Sequence, residues 1–156
     1  MAHVRAVAFA LAVATLCGCA TPQVLNDDMC SAFRSFAESI PNSGRHFVTL
    51  QTDWGAEPTK ACLRLDAAPE RALCTYLIEN TSTEFMAFNI RRALQCLKIG
   101  FPSNPDELYL ETLSGSVRSH RPAFTIRAVD VELEFDSTSR DGLPHLTIAV
   151  SVDKDK

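Results

Sequence analysis

No apolar run in this chain has the length of a permanent membrane span; the longest, residues 6–16, is about half of the ~20 residues a helix needs to cross a bilayer. Basic residues are in short supply, with 15 Lys and Arg against 19 Asp and Glu, and the basic clusters are brief: Arg91-Arg92, and Arg118 with Arg121. Sequence-independent nucleic-acid binding requires a basic footprint, so nucleic acid is not an expected partner. Neither a GxSxG elbow nor an HExxH zinc-protease motif is present. His46, His120 and His145 fall beside expected strand ends, where surface or structural roles are the ordinary reading. The cysteine spacings match neither CxxC nor a zinc pattern, so no metal or other cofactor is expected. A pair of carboxylates for glycan cleavage is set by folding and not by spacing, and nothing in the sequence favours one. The balance leans away from an enzyme. Internal repeats and low-complexity stretches are also missing.

What remains is ordinary globular material. Of 156 residues, 46% are hydrophobic and 22% charged, which supports one domain that buries roughly two thirds of the surface its unfolded chain exposes. Disulfides would reinforce such a core without having to replace it.

The amino-terminal segment is distinctive. Arg5 precedes the apolar run at 6–16, and Leu16-Cys17-Gly18-Cys19 follows directly. This arrangement resembles the lipobox of bacterial lipoproteins: a branched apolar residue, a tolerant position, a small residue at the cleavage subsite, then the thiol that is alkylated. Cys17 stands where Ala, Ser or Thr is usual. Cys17 cannot itself be the anchor in that pattern, because Leu16 would then occupy the small-residue subsite. The resemblance implies a signal peptide at 1–18, a lipidated Cys19 heading a short tether at 19–26, and a single disulfide-bonded domain at 27–156. An ordinary secretory signal cut after Ala20 is the alternative.

Lipoproteins retained at the inner membrane usually carry Asp after the modified Cys. Here Ala20 follows, so the resemblance implies the outer membrane, with the domain facing the periplasm. Three acyl chains, at ~0.8 kcal/mol per buried CH₂, make such attachment effectively permanent. The spacer at 20–26 reaches at most ~25 Å. Arg5 is the only Lys or Arg before Cys19 and no acid precedes it, so the net charge of −4 becomes −5 on processing.

Along the domain, Asp27 and Asp28 suit a helix start. Met29, Phe33, Phe36, Ala37 and Ile40 follow at helical spacing before the stop at residues 41–44. Val48 and Leu50 alternate with Thr49 and Gln51, which predicts a strand over 46–53. Pro69 suits the first turn of a second helix with Ala72, Leu73, Tyr76 and Leu77 inward. Thr81-Ser82-Thr83-Glu84 reads as a capping box opening a third helix, with Phe85, Met86, Ile90, Ala93, Leu94 and Leu97 on its apolar face and a stop at Gly100 and Pro102. These two helices are expected to pack as an antiparallel hairpin.

From Leu108 the period changes to two. Leu108 and Leu110 predict one strand, and Gly115-Ser116 reads as a turn. Phe124, Ile126 and Ala128 predict another strand on even positions, while Val129, Val131, Leu133 and Phe135 lie on odd ones, so a bulge or break is expected near 128–129. Segments 129–135 and 146–152 predict a hairpin. The fold class is α+β: an N-terminal helix and a helical hairpin packed on a mostly antiparallel sheet, with a C-terminal β-hairpin.

Cys30, Cys62, Cys74 and Cys96 remain downstream of the anchor. An even number in an exported chain predicts two disulfides, with three possible connectivities. In a helical hairpin turning near Thr81, Cys62 and Cys96 share the open end, so Cys62–Cys96 with Cys30–Cys74 is favoured. One charge pattern also stands out: Asp130, Glu132, Glu134 and Asp136 lie on the face opposite Val131, Leu133 and Phe135. The partner strand offers only Thr147, Ala149 and Ser151 there. A row of like charges is costly unless solvent or a partner screens it. It reads either as a solvated face that discourages aggregation or as a docking surface for a basic protein partner, or less often for a divalent cation. The leading expectation is a membrane-anchored, non-enzymatic protein-binding domain such as an immunity protein or inhibitor. A structural accessory of an envelope assembly is the alternative, and an envelope hydrolase is the least favoured.

Overall fold

A computed structural model describes residues 28–63, 65–99, 113–138 and 142–152. These residues form three helices and a five-stranded antiparallel sheet: α1 (Asp28–Ser39), β1 (Arg45–Asp53), β2 (Thr59–Leu63), α2 (Ala68–Asn80), α3 (Met86–Cys96), β3 (Ser114–His120), β4 (Val129–Asp136) and β5 (His145–Val152). The strand order is β2-β1-β5-β4-β3. The α+β class expected from the sequence is therefore the observed one. The expected signal peptide, Cys19, the expected tether and the strand expected around Leu108 and Leu110 lie outside the described residues.

The β4–β5 pair is the expected hairpin, with Val131 opposite Val150, Leu133 opposite Ile148 and Phe135 opposite Leu146. These side chains, with Val48 and Leu50 of β1, form one face of the sheet and are buried. Met29, Phe33, Phe36, Leu73, Leu77, Ile90 and Leu94 from the helices complete a single core cluster. Each fully buried Leu, Ile or Phe side chain contributes roughly 1.5–3 kcal/mol. All three helices accordingly lie on that one face.

Several expectations are corrected by the tertiary structure. α1 packs against both α2 and α3. In that position α1 overturns the favoured disulfide pairing. Its first turn brings Cys30 to the end of α3, giving Cys30–Cys96 with Cα atoms 5.2 Å apart, while Cys62 of β2 meets α2 as Cys62–Cys74 at 5.9 Å. All four cysteines are bonded, as expected, but in a different pairing.

The capping box at 81–84 is absent as well. Thr81 ends α2, its N–H and hydroxyl both donating to the Leu77 carbonyl, and the loop is held by buried Asn89, whose amide bonds both the N–H and the carbonyl of Ser82. The reciprocal bond occurs instead at α2, where the Glu70 carboxylate accepts from the Ala67 N–H at 2.7 Å.

Residues 124–128 do not form a strand, because α1 takes up their polar groups. Arg34 donates to the Phe124 carbonyl, and the Ile126 N–H donates to the Glu38 carboxylate. Arg127 donates to the carbonyls of Ala37, Glu38 and Ile40 at the end of α1. The expected break at 128–129 is real, and β4 begins at Val129.

Gly115-Ser116 is not a turn. It lies within β3, an edge strand whose half-buried apolar residue is Val117. Gly115 has φ +152°, a backbone conformation that favours glycine, and a Cβ there would only touch the Phe135 ring at an ordinary 3.8 Å.

Candidate functional site

Strand alternation decides which residues face away from the helices. On β4 these are Asp130, Glu132, Glu134 and Asp136. Register places Arg118 opposite Glu132, and His120 opposite Asp130, on β3. β5 contributes Thr147, Ala149 and Ser151, and β1 contributes Arg45, Phe47 and Thr49. Leu63, paired with Thr49, lies at the β2 margin and is exposed. No described helix covers this face.

The acidic row is thus assembled as the alternation predicts, but it is less isolated than the β5 sequence implied. Arg45 and Arg118 converge on one oxygen of Glu132, at 3.0 and 3.1 Å. Arg45 reaches across β5 because the residues beneath it, Ala149 and Ser151, are small. His120 Nδ1 lies 2.7 Å from Asp130 Oδ1. Asp136 turns to the following loop, its Oδ1 accepting from the Thr138 N–H and hydroxyl. Exposed pairs of this kind contribute about 0–1 kcal/mol each, and their positive groups reduce the repulsion within the row at Glu132. Arg118 and His120 were missed in the sequence because β3 has almost no hydrophobic alternation and so did not register as a strand, and Arg45 because only the lateral order of strands brings β1 beside β5.

Glu134 differs from its neighbours. It is exposed, and its cross-strand partners are Ser116 and Thr147, neither of them cationic. It also borders two shallow depressions: one of about 310 Å³ with Arg45, Phe47, Thr49, Leu63 and Thr147, the other of about 510 Å³ with Ser114, Ser116, Phe135, Asp136 and His145. One carboxylate therefore borders both a hollow of mixed polar and apolar lining and a more polar one. Such a surface suits a basic side chain, with its stem on Phe47 and Leu63 and its head on Glu134.

A second polar cluster lies on the helical side. His46 Nδ1 is 3.1 Å from Glu70 Oε1, with the two side chains 18% and 7% exposed. The remaining His46 nitrogen is 3.4 Å from the Ser43 carbonyl. Both ring nitrogens are thus turned to protein groups, and the pair acts as a clasp between β1 and α2. Burial by itself would raise the Glu70 pKa; hydrogen bonds from the Ala67 backbone, His46 and the Asp66 backbone, with the charge of His46, outweigh it and hold the carboxyl below the ordinary value. Lys60, donating to the Thr81 carbonyl, has its pKa lowered by burial.

Among the described residues, no group of His, Cys, Asp or Glu is arranged to hold a metal ion, and no helix is long and apolar enough to cross a membrane. No protein-family model, curated protein or solved structure matches this chain, so its site is read from its own geometry.

Proposed function

We propose that this chain is an exported lipoprotein, tethered through Cys19 at the periplasmic face of the outer membrane, and that its domain binds another envelope protein through the helix-free face of the sheet. The role is recognition and not catalysis, of the kind an immunity protein or inhibitor performs. The observation that carries the reading is Glu134: an exposed carboxylate without a cross-strand cation, bordering two hollows on a face that no described helix covers. Glu132 already has two arginine partners and Asp130 a histidine within the domain, so they are less available to a ligand.

The test is capture of partners from envelope extract by wild type, Glu134→Gln and the double variant Asp130→Asn with Glu132→Gln. Glu134→Gln is expected to weaken capture at least tenfold, which corresponds to about 1.4 kcal/mol, and the double variant to weaken it less. The deficit should shrink as salt shortens the Debye length from ~10 Å at 0.1 M to ~3 Å at 1 M. Capture unaffected by Glu134→Gln at any salt concentration would return the acidic row to a solvated face. The anchor is tested separately: Cys19→Ser should abolish acylation and release the domain from a carbonate-washed membrane fraction, or leave an unprocessed precursor. A Cys19→Ser protein of mature mass that stays in the membrane would refute it.

A further inference from the structure

The sheet and helices define two ends of the domain. At one end β1 begins, β4 begins and β5 finishes; Arg127 holds the carboxyl end of α1 there, and the His46–Glu70 clasp holds the start of α2. The opposite end carries the β1–β2 turn, the β4–β5 loop and the end of α2, where Lys60 of β2 bonds the Thr81 carbonyl. The 12 residues of α1 span about 18 Å and run from the second end toward the first, with Ser39 of α1 near Pro69 at the start of α2. The chain before α1 therefore enters at the second end. That preceding stretch of 27 residues contains the apolar run and Cys19.

The same end gathers exposed apolar side chains. Trp54 follows directly on β1 and is 55% exposed. Leu143 precedes β5, and its neighbour Pro144 bonds the Thr52 N–H. Phe85 and Phe88 open α3 beside the end of α2, and Arg92, stacked over the Phe88 ring, donates to the Asn80 carbonyl. All four apolar residues are more than one third exposed. Two phenylalanines at the start of α3 and a tryptophan and a leucine on the loops of one end are what a membrane interface favours, where aromatic rings sit at headgroup level.

We infer that this end, presenting Trp54, Phe85, Phe88 and Leu143, rests on the bilayer surface when the domain is tethered. The inference rests on the proposed lipid anchor. A tether of at most ~25 Å keeps the end at high local concentration over the lipid, so even weak insertion of a few side chains orients the domain. Asp53, Glu57 and Glu84, close in sequence to Trp54 and Phe85, are exposed; contact is accordingly with neutral, zwitterionic headgroups and draws little from anionic lipid. The strands then stand along the membrane normal, and the helix-free face with Glu134 points sideways, open to a partner.

Trp54 is the chain's single tryptophan, which makes it a direct probe. Mature protein purified from membranes is checked for acyl chains by intact mass and inserted into phosphatidylethanolamine–phosphatidylcholine vesicles carrying lipids brominated near the headgroup. Trp54 fluorescence should be blue-shifted, quenched by the brominated lipid and shielded from aqueous acrylamide. With Trp54→Phe and Ile126→Trp combined, the probe moves to the opposite end, where Ile126 is 90% exposed, and lipid quenching should be lost. Acylated protein whose Trp54 stays as accessible to acrylamide as in detergent-free, anchor-less protein overturns the orientation and leaves the anchor standing. Equal lipid quenching at both positions overturns it too. A mature mass without acyl chains refutes the anchor, and the inference falls with it.

Discussion

Glu70 joins three parts of the fold through one buried carboxylate, and its replacement is the most informative perturbation of stability. Oε2 accepts from the Ala67 N–H at 2.7 Å, while Oε1 lies 3.1 Å from His46 Nδ1 on β1. A hydrogen bond to a charged group contributes about 1.5–3 kcal/mol. Glu70→Ala removes both bonds and leaves a poorly hydrated N–H and imidazole behind, so it is expected to cost about 2–3 kcal/mol. Glu70→Gln retains an acceptor for the Ala67 N–H but loses the charge and the second acceptor oxygen, which faces His46, at about 1–2 kcal/mol. For a domain of this size the alanine variant should melt on the order of 10 °C lower.

The pH dependence carries the mechanism. The Glu70 pKa lies below its unfolded value, so its stabilisation is fully present above the unfolded pKa of ~4.3. It is lost as pH falls through the lower folded value. Urea unfolding followed by far-UV circular dichroism between pH 7 and pH 3 should therefore show the gap between wild type and Glu70→Gln closing as pH falls. A gap that stays constant across that range, or a glutamine variant as unstable as the alanine one, would refute the charge-assisted clasp.

Peptide mapping under non-reducing conditions should yield Cys30–Cys96 and Cys62–Cys74 linkages; a Cys62–Cys96 peptide would contradict the packing of α1 between the other helices. Loop-closure entropy makes the bond of sequence separation 66 worth about 4 kcal/mol and that of separation 12 about 3 kcal/mol, so the Cys30→Ser/Cys96→Ser pair should lower the urea midpoint more than Cys62→Ser/Cys74→Ser. Arg127→Ala should cost about 2 kcal/mol by uncapping α1 and should speed amide exchange in its last turn. Unchanged exchange there would show that the Arg127 contacts to Ala37, Glu38 and Ile40 do not hold the helix.

Elements with a strong internal period were legible in the sequence. The helix bearing Met29, Phe33, Phe36 and Ala37 and the hairpin bearing Val131, Leu133, Ile148 and Val150 announce their buried faces through spacing alone. Edge strands escape that logic. β2 and β3 bury little, so Thr59–Leu63 and Ser114–His120 carry almost no apolar alternation. Residues 124–128 failed in the opposite sense: their alternation looked like a strand, yet their backbone groups are satisfied by Arg34 and Glu38 of α1, some 90 residues earlier. The acidic row was visible for the same reason as the hairpin, because parity on β4 places Asp130, Glu132, Glu134 and Asp136 together.

By itself the amino-acid sequence determined the class of fold, the faces of its periodic elements and the presence of four cysteines able to pair, since each follows from local chemistry and from repeat lengths of two and 3.6 residues. Tertiary structure alone decided which cysteines meet, because α1 lies against both α2 and α3 and no spacing along the chain encodes that contact. It likewise decided how the acidic row is screened. Arg45, Arg118 and His120 reach Glu132 and Asp130 only through the lateral order of strands, and that order, together with the lack of a cationic cross-strand neighbour, singles out Glu134.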